Sequence, residues 1–226
     1  VKYIIISIND DRAWQKDLIR NTLGPDNEIV IDCVNGSDEA QVLEARAEFP
    51  EVFENGHPLF YNWAYMMKKG ELGVWLSNLR AYRAISEQSE PVIVFEDDAI
   101  IRPQFDENME LIMKYLPEEW DLVSLYTPHD CQFPNSPMAY AGIEQNNVVV
   151  RNYQSYCFVT IMYTPEGARK ILGYTEKYGI SGPIDIFVMD LANNVWIDAF
   201  ATSHQNYLPV NYDWDSPTTI HNTEKY

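Results

Sequence analysis

The stretch Pro91-Val-Ile-Val-Phe-Glu-Asp-Asp-Ala-Ile100 runs four apolar residues straight into three consecutive acids. An unbroken β-branched and aromatic run is the pattern of a strand buried on both faces, as at the centre of an α/β sheet. Three carboxylates at its end repel one another unless positive charge sits among them. A metal site at the sheet edge meets that need, and a solvated acidic turn is the plainer alternative. Alternate side chains of an extended strand point the same way, so Glu96 and Asp98 are expected on one side and Asp97 on the other. That pair can hold a divalent cation, and the cation can hold a diphosphate.

Charge narrows the choice of partner. The 34 acids against 16 bases leave a net charge of −18, which repels phosphate backbones and anionic lipid headgroups. Nucleic-acid or membrane binding through a basic face is disfavoured. A nucleotide would need a bridging cation or a local cluster of Arg and backbone N–H groups. The 226 residues, 46% of them hydrophobic, fit one large domain with a substantial core. Cys33, Cys131 and Cys157 are too scattered for a disulfide framework or a short-spaced zinc site, so free thiols in a reducing cytosol are expected. No apolar run approaches the roughly 18 residues of a membrane span, and Val1-Lys-Tyr-Ile-Ile-Ile-Ser lacks a signal-peptide pattern. A cytoplasmic location is therefore expected, although Val1 is not a methionine, which leaves an upstream segment open.

Along the chain, strands and helices alternate. Tyr3–Ile8 reads as a strand, Asn9–Arg12 as a polar turn and Trp14–Leu23 as a helix, the usual start of an α/β domain. Glu28–Val34 reads as a second strand ending at Asn35-Gly-Ser37. Ligands of open α/β sheets collect beyond the carboxyl ends of strands, so these two loops and the acidic one are expected to share a crevice. Helices are expected at Glu39–Phe49 and from Gly70, where Leu72, Trp75, Leu79, Tyr82 and Ile85 recur three or four apart. Later elements are a helix Asp106–Leu116, a strand Trp120–Tyr126, a long loop Thr127–Asn147, a strand Cys157–Tyr163 and a helix begun by Thr164-Pro165. A helix Ile186–Leu191 after Pro183 and a strand Val195–Phe200 complete the pattern.

No nucleophile elbow, Walker loop, dinucleotide glycine fingerprint or HExxH helix is present. What stands out instead is an ordered set of blocks: Ile4-Ile-Ile-Ser-Ile-Asn-Asp-Asp-Arg12, Val34-Asn-Gly36, Gly70-Glu-Leu-Gly-Val-Trp-Leu-Ser-Asn-Leu-Arg80 and Val-Phe-Glu-Asp-Asp98. Tyr163-Thr-Pro-Glu-Gly-Ala-Arg-Lys-Ile-Leu172, Pro183-Ile-Asp185 and Ser216-Pro-Thr-Thr-Ile220 follow. In this order the set resembles glycosyltransferase family 25, which includes bacterial lipopolysaccharide galactosyltransferases and procollagen galactosyltransferases. Val74 and Asn78 depart from it, standing where the family usually has Cys and His, and the second departure bears on substrate choice.

The resemblance implies a GT-A fold: one Rossmann-like nucleotide-diphospho-sugar transferase domain over 1–226 with a mixed, mainly parallel central sheet. Residues 1–100 would form the nucleotide-sugar half and 101–226 the acceptor half. It implies an inverting enzyme that uses Mn²⁺ (or Mg²⁺) to move galactose or glucose from a UDP-hexose to a hydroxyl of a glycan or other acceptor. Asp98 is then the main metal ligand and Glu96 its helper, with His221 or the tail acids Asp213 and Asp215 completing the site. Inversion by single displacement needs a carboxylate on the face opposite the leaving group. Asp185 matches the Pro-x-Asp block for that role, with a plain helix cap as its alternative. Ser7, Arg12 and Asn35 are expected near base and ribose, Arg80 near phosphate, and Asp97 among the donor-binding residues. His129 and His204 have no supporting context, and Trp63, Trp75, Trp196 and Trp214 are candidate sugar-stacking faces or core. Two other classes remain: a non-catalytic carbohydrate- or nucleotide-sugar-binding protein of the same fold, and a two-carboxylate glycoside hydrolase needing no metal.

Overall fold

The computed structural model describes residues 1–8, 12–54, 67–126, 148–151, 158–202 and 209–212. His129, His204, Asp213, Asp215, His221, Trp63, Trp214, Cys131 and the block 216–220 lie outside these residues, as do the polar turn 9–11, the long loop 127–147 and residues 152–157 with Cys157.

Its centre is the strand that the acidic stretch predicts. β1 (Lys2–Ile6) runs parallel to β2 (Val92–Glu96), with Ile6 opposite Glu96. Four more strands, β4 (Leu122–Ser124), β5 (Val149–Arg151), β6 (Thr160–Tyr163) and β7 (Ala199–Thr202), extend the sheet in the order β1-β2-β6-β4-β7-β5. The pairings make β1, β2, β4 and β7 run one way and β5 and β6 against them, a mixed sheet in which one direction predominates. A separate two-stranded sheet joins β3 (Ala99–Ile101) to β8 (Val210–Tyr212) antiparallel.

β2 is buried on both faces. Val92 and Val94 enter one core with Trp75, Leu76 and Leu79, while Ile93 and Phe95 enter the other with Ile19, Phe105 and Ile112. The period of two in a strand sends alternate residues to opposite sides, and apolar groups on both are removed from water. The first core is closed by α2 (Glu39–Glu48), α3 (Pro50–Glu54), α4 (Lys69–Ser86), α6 (Pro165–Tyr178) and α7 (Ile184–Asn193). α1 (Ala13–Leu23) and α5 (Phe105–Tyr115) cover the second.

α4 carries the periodicity read in the sequence: Leu72, Trp75, Leu79, Tyr82 and Ile85 are all buried. Its start is fixed by Glu71, whose carboxylate accepts the Lys68 N–H at 2.7 Å, three residues back. α6 begins where Thr164-Pro165 predicts, with the Thr164 hydroxyl accepting the Gly167 N–H at 2.9 Å. A Cβ on Gly167 would lie 2.3 Å from the Asp121 carbonyl oxygen, so α6 meets the start of β4 backbone to backbone.

Three expectations are corrected. Glu28–Val34 is not a ladder-paired strand: it touches β1 through the Tyr3–Glu28 bridge and the Ile29 N–H donating to the Tyr3 carbonyl at 2.7 Å. Further along, side chains take over, since the Ser7 N–H donates to the Cys33 sulfur and the Val34 N–H to the Ser77 hydroxyl. The strand predicted from Val195 begins instead at Ala199, because Val195 adopts φ 61° and ends α7. Finally, β2 stops at Glu96 and the chain turns at Asp97 and Asp98 before β3, so strand alternation does not carry through the three acids.

Candidate active site

The acidic turn sits where β1 and β2 end together. Ile6 pairs with Glu96, which brings Ser7 to the same sheet edge as Asp97 and Asp98. The positive charge that three adjacent acids require is a guanidinium. Arg12 is 8% exposed; its Nη1 donates to Asp97 Oδ1 and stands 3.4 Å from Asp98 Oδ2. The sequence placed Arg12 near base and ribose, whereas the structure sets it against the acidic turn.

Glu96 is half-buried, and loss of hydration pushes its carboxyl well above the usual range. The charges of Asp98, Asp97 and Asp185 push it further in the same direction, and Arg12 acts against them. Asp185, 89 positions further along the numbering, therefore lies within electrostatic reach of the strand end. It occupies the first turn of α7, its Oδ1 accepting the Ile186 N–H at 2.8 Å. The N-cap is Pro183 and has no side-chain hydrogen bond to offer, so Asp185 is a first-turn acid and not the cap residue.

α4 sets the position of α7. Trp75 donates its indole N–H to the Gly182 carbonyl at 2.8 Å and packs edge-on against Phe187 with ring centroids 5.0 Å apart. Gly182 has φ 74°, a conformation open to glycine at little cost, and this turn delivers the chain into α7. The helix preceding the acidic strand thus holds the segment that carries Asp185.

Beside the acidic turn lies a cleft of about 470 Å³ lined by Ser7, Ile8, Ile31, Asp32, Cys33, Asn35, Gln41, Glu44 and Arg80. Three residues expected around a nucleotide, Ser7, Asn35 and Arg80, meet in it. Asn35 is held in place, its N–H donating to Gln41 Oε1 at 2.9 Å and its Oδ1 accepting the Ser37 N–H at 3.0 Å. The Arg80 guanidinium donates to the Glu48 carboxylate and, at 2.6 Å, to the Asp32 carbonyl. It forms a wall of the cleft more than a free phosphate hook.

Burial raises the Cys33 thiol pKa; the Ser7 N–H lowers it, Asp97 raises it and Arg80 lowers it. Asp97 is therefore close enough to be felt inside the cleft, as Asp185 is at Glu96. Sequence reading missed Ile31, Asp32, Cys33, Gln41 and Glu44. The signal that could have found them was the meeting of the first two loops, which stops short of naming side chains on α2.

Among the described residues no three His, Cys, Asp or Glu side chains form a metal-ligand group. The donor chemistry nonetheless fits a hard cation that takes one or two carboxylates and completes its shell with water and phosphate oxygens. Around Glu96, the carboxylates of Asp97, Asp98 and Asp185 are opposed by one guanidinium, that of Arg12, an excess of negative charge that a divalent ion relieves. Asn78, which replaces the histidine of the resemblance, is buried and donates to the Val74 carbonyl at 2.9 Å within α4.

The family described as glycosyltransferase family 25 (LPS biosynthesis protein) matches residues 2–188. The chain belongs to glycosyltransferase family 25. The α/β architecture with its six-stranded mixed sheet agrees with the GT-A fold of that family. The matched span takes in the acidic turn, the cleft residues and Asp185, and ends before Ser216–Ile220 and His221. No curated protein matches this family 25 chain. None of its described helices is long and apolar enough to cross a membrane.

Proposed function

We propose that this family 25 glycosyltransferase moves a hexose, galactose or glucose, from a UDP-sugar to a hydroxyl of a glycan or other acceptor, with inversion at the anomeric carbon. The observation that carries the reading is the acidic turn at the paired ends of β1 and β2, with a polar cleft lined by Ser7, Asn35 and Arg80 beside it and the α7 carboxylate Asp185 within electrostatic reach of Glu96. Residues 1–100 would bind the donor and 101–226 the acceptor, within one domain.

The nucleoside enters the cleft, where Ser7 and Asn35 offer hydrogen bonds to base and ribose. The cleft's own acids, Asp32 and Glu44, disfavour phosphate there, so the diphosphate extends toward Arg12 and the acidic turn. Asp98, with Glu96 as helper, would hold Mn²⁺ (or Mg²⁺), which supplies neutralisation of the charge gained by the departing diphosphate. A third ligand from His221 or from Asp213 and Asp215 belongs to the same proposal.

Asp185 takes the proton of the acceptor hydroxyl as that oxygen attacks the anomeric carbon. The new carbon–oxygen bond forms on one face while the bond to the β-phosphate oxygen breaks on the other, and UDP leaves with the bonding electron pair.

Thermal unfolding with nucleotide sugars tests the reading. A ligand that binds only the folded state at 100 times its Kd stabilises it by about 2.7 kcal/mol. Stabilisation by UDP-galactose or UDP-glucose that requires Mn²⁺ is the expected result. Failure of every nucleotide sugar to stabilise the protein with metal present contradicts it. Stabilisation without UDP release points to the non-catalytic binder, and glycoside cleavage that survives EDTA to the hydrolase.

A further inference from the structure

Arg12 occupies an unusual place for an arginine. It is the N-cap residue of α1 and makes no side-chain cap hydrogen bond. Asp, Asn, Ser or Thr is favoured at such a position, and the helix dipole opposes a cation there. Its side chain is nonetheless buried and turned to Asp97 and Asp98, one nitrogen serving both carboxylates. Two independent observations, the unfavourable helix position and the shared nitrogen, thus direct the guanidinium to the acidic turn.

We propose that Arg12 is a positioning residue that holds, at the Asp98 carboxylate, the place a divalent cation needs, so that cation and nucleoside diphosphate load together. The proposal rests on the reading of this site given under the preceding heading. A guanidinium and a divalent cation at the same carboxylate oxygens repel each other and compete for the same lone pairs. A diphosphate offers the planar guanidinium closely spaced oxygens that it can grip through two parallel N–H bonds. Arrival of the diphosphate draws Arg12 off, and the freed carboxylate oxygens turn to the cation. By linkage the effect is reciprocal, so each ligand tightens the other by the same factor.

The test is titration of the full chain with Mn²⁺, reading free Mn²⁺ by electron paramagnetic resonance, with and without saturating UDP. Wild type, Arg12→Gln and Arg12→Lys are compared, with folding checked by circular dichroism. Wild type is expected to bind Mn²⁺ on the order of 10-fold more tightly when UDP is present, within the usual range of such couplings. Arg12→Gln is expected to bind Mn²⁺ alone about 10-fold more tightly than wild type, with the coupling to UDP largely gone. Arg12→Lys, which keeps the charge, is expected to bind Mn²⁺ alone as weakly as wild type.

Independent binding of Mn²⁺ and UDP by wild type overturns the proposal. So does a folded Arg12→Gln that binds Mn²⁺ no more tightly than wild type. Should Arg12→Gln fail to fold, the wild-type coupling and Arg12→Lys still decide. A wild-type protein that binds neither Mn²⁺ nor UDP contradicts the functional reading itself, a result distinct from independent binding of the two.

Discussion

Gly36 and Gly73 meet backbone to backbone: a Cβ on Gly73 would stand 2.6 Å from the Gly36 nitrogen, and one on Gly36 1.7 Å from the Lys69 carbonyl oxygen. The loop that walls the cleft is thereby seated on α4, and the Val34 N–H donates to the Ser77 hydroxyl at 2.9 Å one step away. Neither neighbour is a flexible side chain end, so nothing yields cheaply. Gly36→Ala and Gly73→Ala are each expected to destabilise the fold by about 1–3 kcal/mol or more. Urea unfolding measures this, and an unchanged midpoint for both would show that the loop is not seated this way.

Val195 ends α7 in the geometry usually given to glycine. Its N–H donates to the Ala192 carbonyl at 3.1 Å and the Trp196 N–H to the Leu191 carbonyl at 2.9 Å, the paired bonds of a Schellman cap, with Val195 at φ 61°. A β-branched residue there carries strain of about 1–2 kcal/mol, partly offset in glycine by a more flexible unfolded chain. Val195→Gly is therefore expected to stabilise the protein by about 0.5–1 kcal/mol, seen as a Tm raised by roughly 1–4 °C. A lowered Tm would contradict the assignment of strain.

Burial raises the Cys33 thiol pKa and Asp97 adds to the effect. The thiolate is the reactive form, so at pH 8 Cys33 holds less of it than a free cysteine. Peptide-resolved iodoacetamide labelling from pH 7 to 10 is expected to rise for Cys33 at higher pH than for a free cysteine. UDP with Mn²⁺ is expected to protect it, because it lines the cleft. Rapid labelling at pH 7 would contradict the burial of this thiol.

Asp185→Asn keeps the shape of the side chain and removes its basicity. Transfer is expected to fall about 10²- to 10⁴-fold, the usual contribution of a positioned base. Donor affinity, measured by calorimetry, is expected to stay near that of wild type. Unchanged turnover would remove Asp185 from the base role.

The parts of the fold visible in the sequence are those whose signal is local. The both-faces burial of β2 and the apolar face of α4 follow from residue order alone, and so does the cap at Thr164. Contacts between distant segments were not visible. The sequence demands positive charge among Glu96, Asp97 and Asp98 without indicating that Arg12, 85 positions away, provides it. Cys33 and Ser77 replace ladder bonds along Glu28–Val34, so an apolar run that reads as a strand is held by side chains instead. β3 and β8 are three-residue strands that exist only as a pair, too short to leave a period. The candidate site was legible as residue types at the ends of strands. That Asp185 comes within reach of Glu96 needed the packing of α4 on α7.

The most direct measurement is UDP release from UDP-galactose and UDP-glucose by the wild-type chain in Mn²⁺, after EDTA, and by Asp98→Asn. Release with one of these donors in Mn²⁺, abolished by EDTA and reduced at least about 10²-fold in Asp98→Asn, is the expected result. Release that persists undiminished in EDTA and in Asp98→Asn, or no release from either donor in Mn²⁺, would contradict a metal-assisted UDP-hexose transferase centred on the acidic turn.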